Sequence, residues 1–153
     1  MPSSTVSDPT TPPHAIVLPT QDGLFYGGTW HAPRDGRYDD VASPGNGQRL
    51  SRVAHATAAD VNPAVSAARE GFAVWRDTPP LERARQLRAV AAELRKHAGD
   101  LALRDAADCG NPVAEMGADV MVAAALFDSF AGLVTELKGA SIPMGPNAVN
   151  FSL

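Results

Sequence analysis

The stretch NPVAEMGADVMVAAALFDSFAGLVTELKG, Asn111 to Gly139, decides how this chain must fold. Val113, Met116, Val120, Ala123, Phe127, Phe130, Val134 and Leu137 recur at alternating spacings of three and four, which lines one face of an α-helix. Met121, Val122 and Leu126 are apolar as well, so more than one side of the helix needs cover. Asn111 is expected to cap it, Pro112 to open it and Gly139 to stop it. The longest uninterrupted apolar run, Val120 to Phe127, is bounded by Asp119 and Asp128. Crossing a bilayer takes ~20 apolar residues, so the helix reads as buried in protein, and no membrane partner is expected.

Two helical patterns precede it, within a helical region expected over 58–137. Val61, Val65, Ala68, Phe72 and Trp75 line one face of the first. Thr57 with Asp60 resembles a capping box. Pro63 conflicts with that start, because an interior proline costs ~3 kcal/mol. Either the helix begins at Asn62 with Pro63 in the first position, which is the favoured reading, or it is kinked at Pro63. The second helix is expected from Thr78, with Pro79 and Pro80 in the turn where their missing N–H groups cost nothing. Leu81, Ala84, Leu87, Val90, Ala91 and Leu94 form its apolar face. Gly99 marks a break or bend, and Leu101 to Ala107 continues as helix.

Upstream, residues 24–55 read as strands. Gly27 and Gly28 separate two short runs in LFYGGTW, and paired glycines tolerate the positive φ of a tight hairpin. RYDDV leads through the turn residues of SPGNGQ into RLSRVAH. The expected architecture is a short antiparallel β-meander, three consecutive helices and a terminal strand. In VNFSL, Val149, Phe151 and Leu153 alternate with polar residues, as in a half-buried strand. SIPMGPNA before it reads as a loop, which leaves that strand without an expected partner. Residues 1–21, with five prolines and little apolar clustering, read as a disordered arm.

The composition narrows the function. Apolar content is 44 % and aromatic content 6 %, so alanine, valine and leucine must fill most of the interior. A net charge of −4 argues against nucleic-acid binding, and the basic residues between Leu81 and Arg104 scatter around their helix rather than forming a stripe. No Lys or Arg precedes Arg34, so no basic leader or transit helix is legible. A reducing cytoplasm is the expected setting.

Elements of catalysis are scarce. There is no G-x-G-x-x-G and no P-loop, and helices that follow one another without strands do not make a dinucleotide-binding fold. His14, His31, His55 and His97 lack ligand spacing. Asp39 and Asp40 are adjacent in a strand and point to opposite faces. The single cysteine, Cys109, is expected just before a helix, which is one setting for a nucleophile. Its neighbour is Asp108, however, and no histidine stands near it in sequence to act as a base. Cysteine is also among the most often buried residues, so a structural role is the expected one.

As a set, LFYGGTW, SPGNGQRLSRVAHATAADV, AAREGFAVWRDTPPLERARQLR, DCGNP, ALFDSFAGL with KGASIP, and NFSL resemble the opening of the aldehyde dehydrogenase superfamily, in order and spacing from about Leu24 to Leu153. The resemblance implies an α/β fold of which 22–147 is an N-terminal portion and 148–153 the start of an oligomerisation strand. Members oxidise aldehydes to carboxylic acids with NAD or NADP, using a cysteine thiolate, a glutamate that activates water, and a dinucleotide pocket. All of these lie beyond the matching segment in the family, and Cys109 does not correspond to the catalytic cysteine. The resemblance therefore implies no catalytic residue and no cofactor for this chain alone. It places an incomplete monovalent-cation site at Val41, Ala42 and Asp108, and puts Val122 at the mouth of the substrate tunnel. Self-association or docking on a full-length aldehyde dehydrogenase is the partner it suggests, and a non-catalytic interaction module is the alternative reading.

Overall fold

The computed structural model describes residues 16–152. Most of the expected arm, residues 1–15, lies outside them, and residues 16–21 form neither helix nor strand. Two hairpins come first: β1 (Leu24–Tyr26) with β2 (Thr29–His31), and β3 (Tyr38–Ala42) with β4 (Arg49–Ala54). Gly27 and Gly28 turn the first at φ 58° and 80°, left-handed values that only glycine adopts cheaply. The second turns through Ser43–Gln48 and carries an irregularity between Val41 and Ala42.

The hairpins form separate two-stranded sheets rather than one meander. The backbone between and beside them is satisfied elsewhere. Gly36 N–H donates to Pro33 O, Arg34 N–H to the Asp60 carboxylate, and Ala54 N–H to Asp22 O.

Four helices follow instead of three: α1 (Ala58–Asp77), α2 (Pro80–Lys96), α3 (Ala98–Cys109) and α4 (Val113–Leu133). Helix α1 starts at Ala58, not at Asn62, because Asp60 builds a better cap than the sequence suggests. Its carboxylate accepts from Thr57 N–H at 2.9 Å, from the Thr57 hydroxyl at 2.7 Å and from Arg34 N–H at 2.9 Å. Three bonds to one buried carboxylate outweigh the single backbone bond that Pro63 forfeits inside the helix. Thr78 ends α1, with its hydroxyl on Val74 O, and α2 begins at Pro80. The chain breaks at His97, two residues before Gly99, and α3 is a helix of its own.

Helix α4 begins at Val113 with Pro112 as its cap, and ends at Leu133, well short of Gly139. Leu137, beyond the helix end, is 80 % exposed. The expected loop supplies β5 (Ser141–Pro143), which pairs antiparallel with β6 (Val149–Phe151), so the last strand has a partner after all. Leu153 lies outside the described residues.

The core sits where α4 crosses α2 and α3. It consists of Ala84, Ala91, Ala102, Ala124 and Ala131 with Met116 and Val120. Small side chains let the helices approach closely. Asp128 of α4 reaches Arg95 of α2 at 2.7 Å across this contact. The large apolar residues lie elsewhere: Phe72, Leu81, Leu126, Phe130 and Leu133 are each more than half exposed.

Candidate functional site

The β3–β4 turn docks on the connection between α3 and α4. Gly110 ends α3 at φ 80°, and a Cβ there would stand 3.0 Å from Pro44 Cγ. Glycine is thus required twice, by its dihedral and by its neighbour. This docking opens a cleft of about 550 Å³ between residues 18–22, the β3–β4 hairpin and α3.

Val41 and Asp108 both line this cleft, together with Arg49, Arg52, Arg104 and Asp105. Ala42, at the strand irregularity, is not among its lining residues. Much of the wall charge is already engaged. Arg52 is bonded to Asp22 and lies 4.2 Å from the Tyr38 ring centre, Arg49 holds Asp40 at 2.6 Å, and Arg104 donates to Val17 O at 2.5 Å. The bond to Asp22 raises the Arg52 pKa further. Among the described residues no three His, Cys, Asp or Glu side chains gather at metal-binding distance. Any cation at this cleft would have to rely mainly on backbone oxygens.

Cys109 is the last residue of α3 rather than the residue before a helix, and it is exposed. It stands at the carbonyl end of a helix, where no free N–H groups converge. Its sulfur lies 3.6 Å from Met116 Sδ, which caps the small core. The expected burial is therefore not met. The described histidines occupy separate places: His31 on Tyr26 O at 3.3 Å, His55 on Asp39 at 2.6 Å and His97 on Glu93 at 3.3 Å. Asp39 and Asp40 take different partners, His55 and Arg49.

Among the described residues no glycine-rich turn leads straight into a helix. A pyrophosphate is held by a glycine-rich turn that opens a helix. Here Gly27–Gly28 and Gly45–Gly47 lie in hairpin turns. The N-terminus of α1 is filled by its own Asp60 carboxylate, and α2 and α4 follow prolines. Val122 is 57 % exposed, on the side of α4 away from Val120 and Ala124. Helix α4 is also, by length and composition alone, the one described helix that could cross a membrane. The pairing within SIPMGPNAVNF is local but carries little strand signal, whereas the contact of Gly110 with Pro44 joins segments far apart in the chain.

Two hairpins feeding consecutive helices with open apolar faces define a piece of a larger α/β fold. The chain belongs to the aldehyde dehydrogenase family, whose sequence model matches residues 30–153. It is 41 % identical over 138 residues to aldehyde dehydrogenase tropH of Talaromyces stipitatus, covering 90 % of this chain and 27 % of that protein. It is 33 % identical over 144 residues to fluoroacetaldehyde dehydrogenase of Streptantibioticus cattleyicolor, covering 94 % of this chain and 28 % of that one. Among solved structures it is similar to PnpE in complex with nicotinamide adenine dinucleotide, with a TM-score of 0.82 and 32 % identity over 86 % of this chain and 27 % of that chain. The chain thus spans about a quarter of the length of the relatives it matches and corresponds to their N-terminal part.

Proposed function

We propose that this chain is the N-terminal, non-catalytic part of an aldehyde dehydrogenase. The whole enzyme converts an aldehyde, NAD⁺ or NADP⁺ and water into a carboxylic acid and the reduced nicotinamide. In this reading residues 22–147 are scaffold and 148–153 begin an oligomerisation element. Val41, Ala42 and Asp108 contribute part of a monovalent-cation site, and Val122 stands at the mouth of the substrate tunnel. The chain alone binds no dinucleotide, and its setting is cytoplasmic.

One observation carries the reading: the chain keeps more surface than a complete domain of its size. Its accessible area is 11517 Å², against roughly 7,400 Å² for a compact chain of 16.0 kDa. Crediting residues 1–15 with the full area of an unfolded chain still leaves an excess on the order of 2,000 Å². Much of it is apolar, on α1 and α4. Both support a segment that packs against more protein. Docking on the rest of an aldehyde dehydrogenase agrees with this better than self-association, because the family match covers 27 % of the relatives.

The purified chain, given a panel of aldehydes with NAD⁺ or NADP⁺, should show no sustained formation of reduced nicotinamide. Sustained turnover would overturn the proposal. A chimera in which residues 16–153 replace the matching part of the Talaromyces relative should oxidise aldehydes. A folded but inactive chimera would count against the scaffold reading.

A further inference from the structure

The break at His97 leaves a groove of about 720 Å³ between α2 and α3, apart from the cleft described above. Val90, Leu94 and Leu101 supply its apolar lining, and Glu93, His97 and Asp100 its polar one. Glu93 is engaged by Lys96 and His97, whereas Asp100 stands exposed. Arg104 lines this groove as well as the first cleft. It is also where the N-terminal end of the described chain is fastened, since its Nε donates to Val17 O at 2.5 Å. Residues 18–22 then lie along the first cleft. The chain thus enters that cleft past the one arginine that the cleft and the groove share.

We propose that the groove is filled by residues 9–15 of this same chain, laid as a strap from Arg104 toward Val90. Nothing in this inference depends on the function proposed above. The length fits. From Arg104 back to Val90 the two helices run on the order of 20 Å at 1.5 Å per residue. Residues 10–16 in polyproline II, at ~3.1 Å each, span about the same distance. The composition fits as well. Pro9, Thr10, Thr11 and Pro12 spell P-x-x-P, followed by Pro13. At three residues per turn Pro9 and Pro12 share one edge, which suits an aliphatic groove. Their fixed φ values leave less entropy to lose on docking. His14 is the one side chain in residues 1–15 that can carry positive charge. Three residues of extended chain before Val17 reach about 10 Å, and Asp100 stands one helical turn, ~6 Å, from Arg104. A strap in this direction therefore brings His14 to Asp100. A second copy is the poorer occupant. A segment tethered beside its site is present at an effective concentration in the mM range, which a separate chain in dilute solution does not reach.

The test reads the accessibility of one thiol in the full chain. With Cys109→Ser removing the native thiol, Val90→Cys is labelled with a maleimide, and the rate is normalised to that in urea. The comparison is the same chain carrying Pro9→Asp, Pro12→Asp and Pro13→Asp, whose charges would meet an apolar lining beside Glu93 and Asp100. Labelling should be about tenfold faster once the strap is charged. Equal rates in the two chains overturn the proposal. Protection that persists in the charged variant, with a dimer in the ultracentrifuge, overturns it in favour of a second copy. A proximity measurement needs no disruption of the strap. In the Cys109→Ser chain, Thr11→Cys carries a benzophenone on its thiol and is irradiated at low concentration. Crosslinks within one chain to residues 89–101, mapped by mass spectrometry, are expected. Crosslinks that join two chains, or that fall outside the groove, overturn the proposal.

Discussion

Helices α1 and α4 carry equally regular apolar stripes, yet they end in different circumstances. On α4, Met116, Val120, Ala124 and Ala131 close on α2 and α3, with Ala91 and Ala124 at 0 % exposure. The stripe of α1 lies beside β1, and Val61, Val65 and Phe72 remain 48 %, 47 % and 61 % exposed. Periodicity marks a face that requires a partner; it does not say that the partner is within the same 153 residues. The difference also tracks side-chain size. The closed contact is made mostly by alanines, while Phe72 and Phe130 stay exposed.

The sharpest way to break this contrast is to overfill the closed side. Ala124→Leu should lower stability by about 1–3 kcal/mol, because no space exists for the added atoms; urea unfolding measures it. A near-neutral result would mean that the α2–α4 contact is loose. Gly110→Ala should cost about 1–2 kcal/mol from its left-handed backbone alone, and more if Pro44 cannot move; the same unfolding experiment reads it. Asp60→Asn should lower the melting temperature above pH 4 and converge with the parent below it. The Thr57 N–H, the Thr57 hydroxyl and then Arg34 N–H hold the Asp60 pKa below its ordinary 3.8. Its stabilisation is thus present above that value and lost as pH falls through the lower folded one. Melting curves from pH 7 to pH 2 would expose a parallel pair instead, if the cap were unimportant. On the open side, Phe72→Ala should change the stability of the chain alone by less than about 0.5 kcal/mol. A large loss there would show that α1 is packed after all.

Much of the fold was legible because it rests on local chemistry. Gly27–Gly28 specified the first hairpin, Ser43–Gln48 the second, and the spacing from Val113 to Leu133 the longest helix. The errors fell where a distant residue intervenes. The start of α1 was misplaced because Arg34, remote in sequence, helps Asp60 to complete the cap. The pairing of β5 with β6 is a local exception: a three-residue strand that ends in Pro143 and is followed by Gly145 and Pro146 carries little strand signal. The site was less legible. Val41, Asp108 and Val122 came from family resemblance, and the order of residues does not reveal that Val41 and Asp108 share a cleft.

The amino-acid sequence by itself determined the order of elements and the family, since turn dihedrals, caps and hydrophobic period act over a few residues. The tertiary structure alone decided which apolar faces close, and that Cys109 lies open beside Met116. The physical reason is that burial is a property of pairs of surfaces, and a single stretch of chain encodes only one member of each pair.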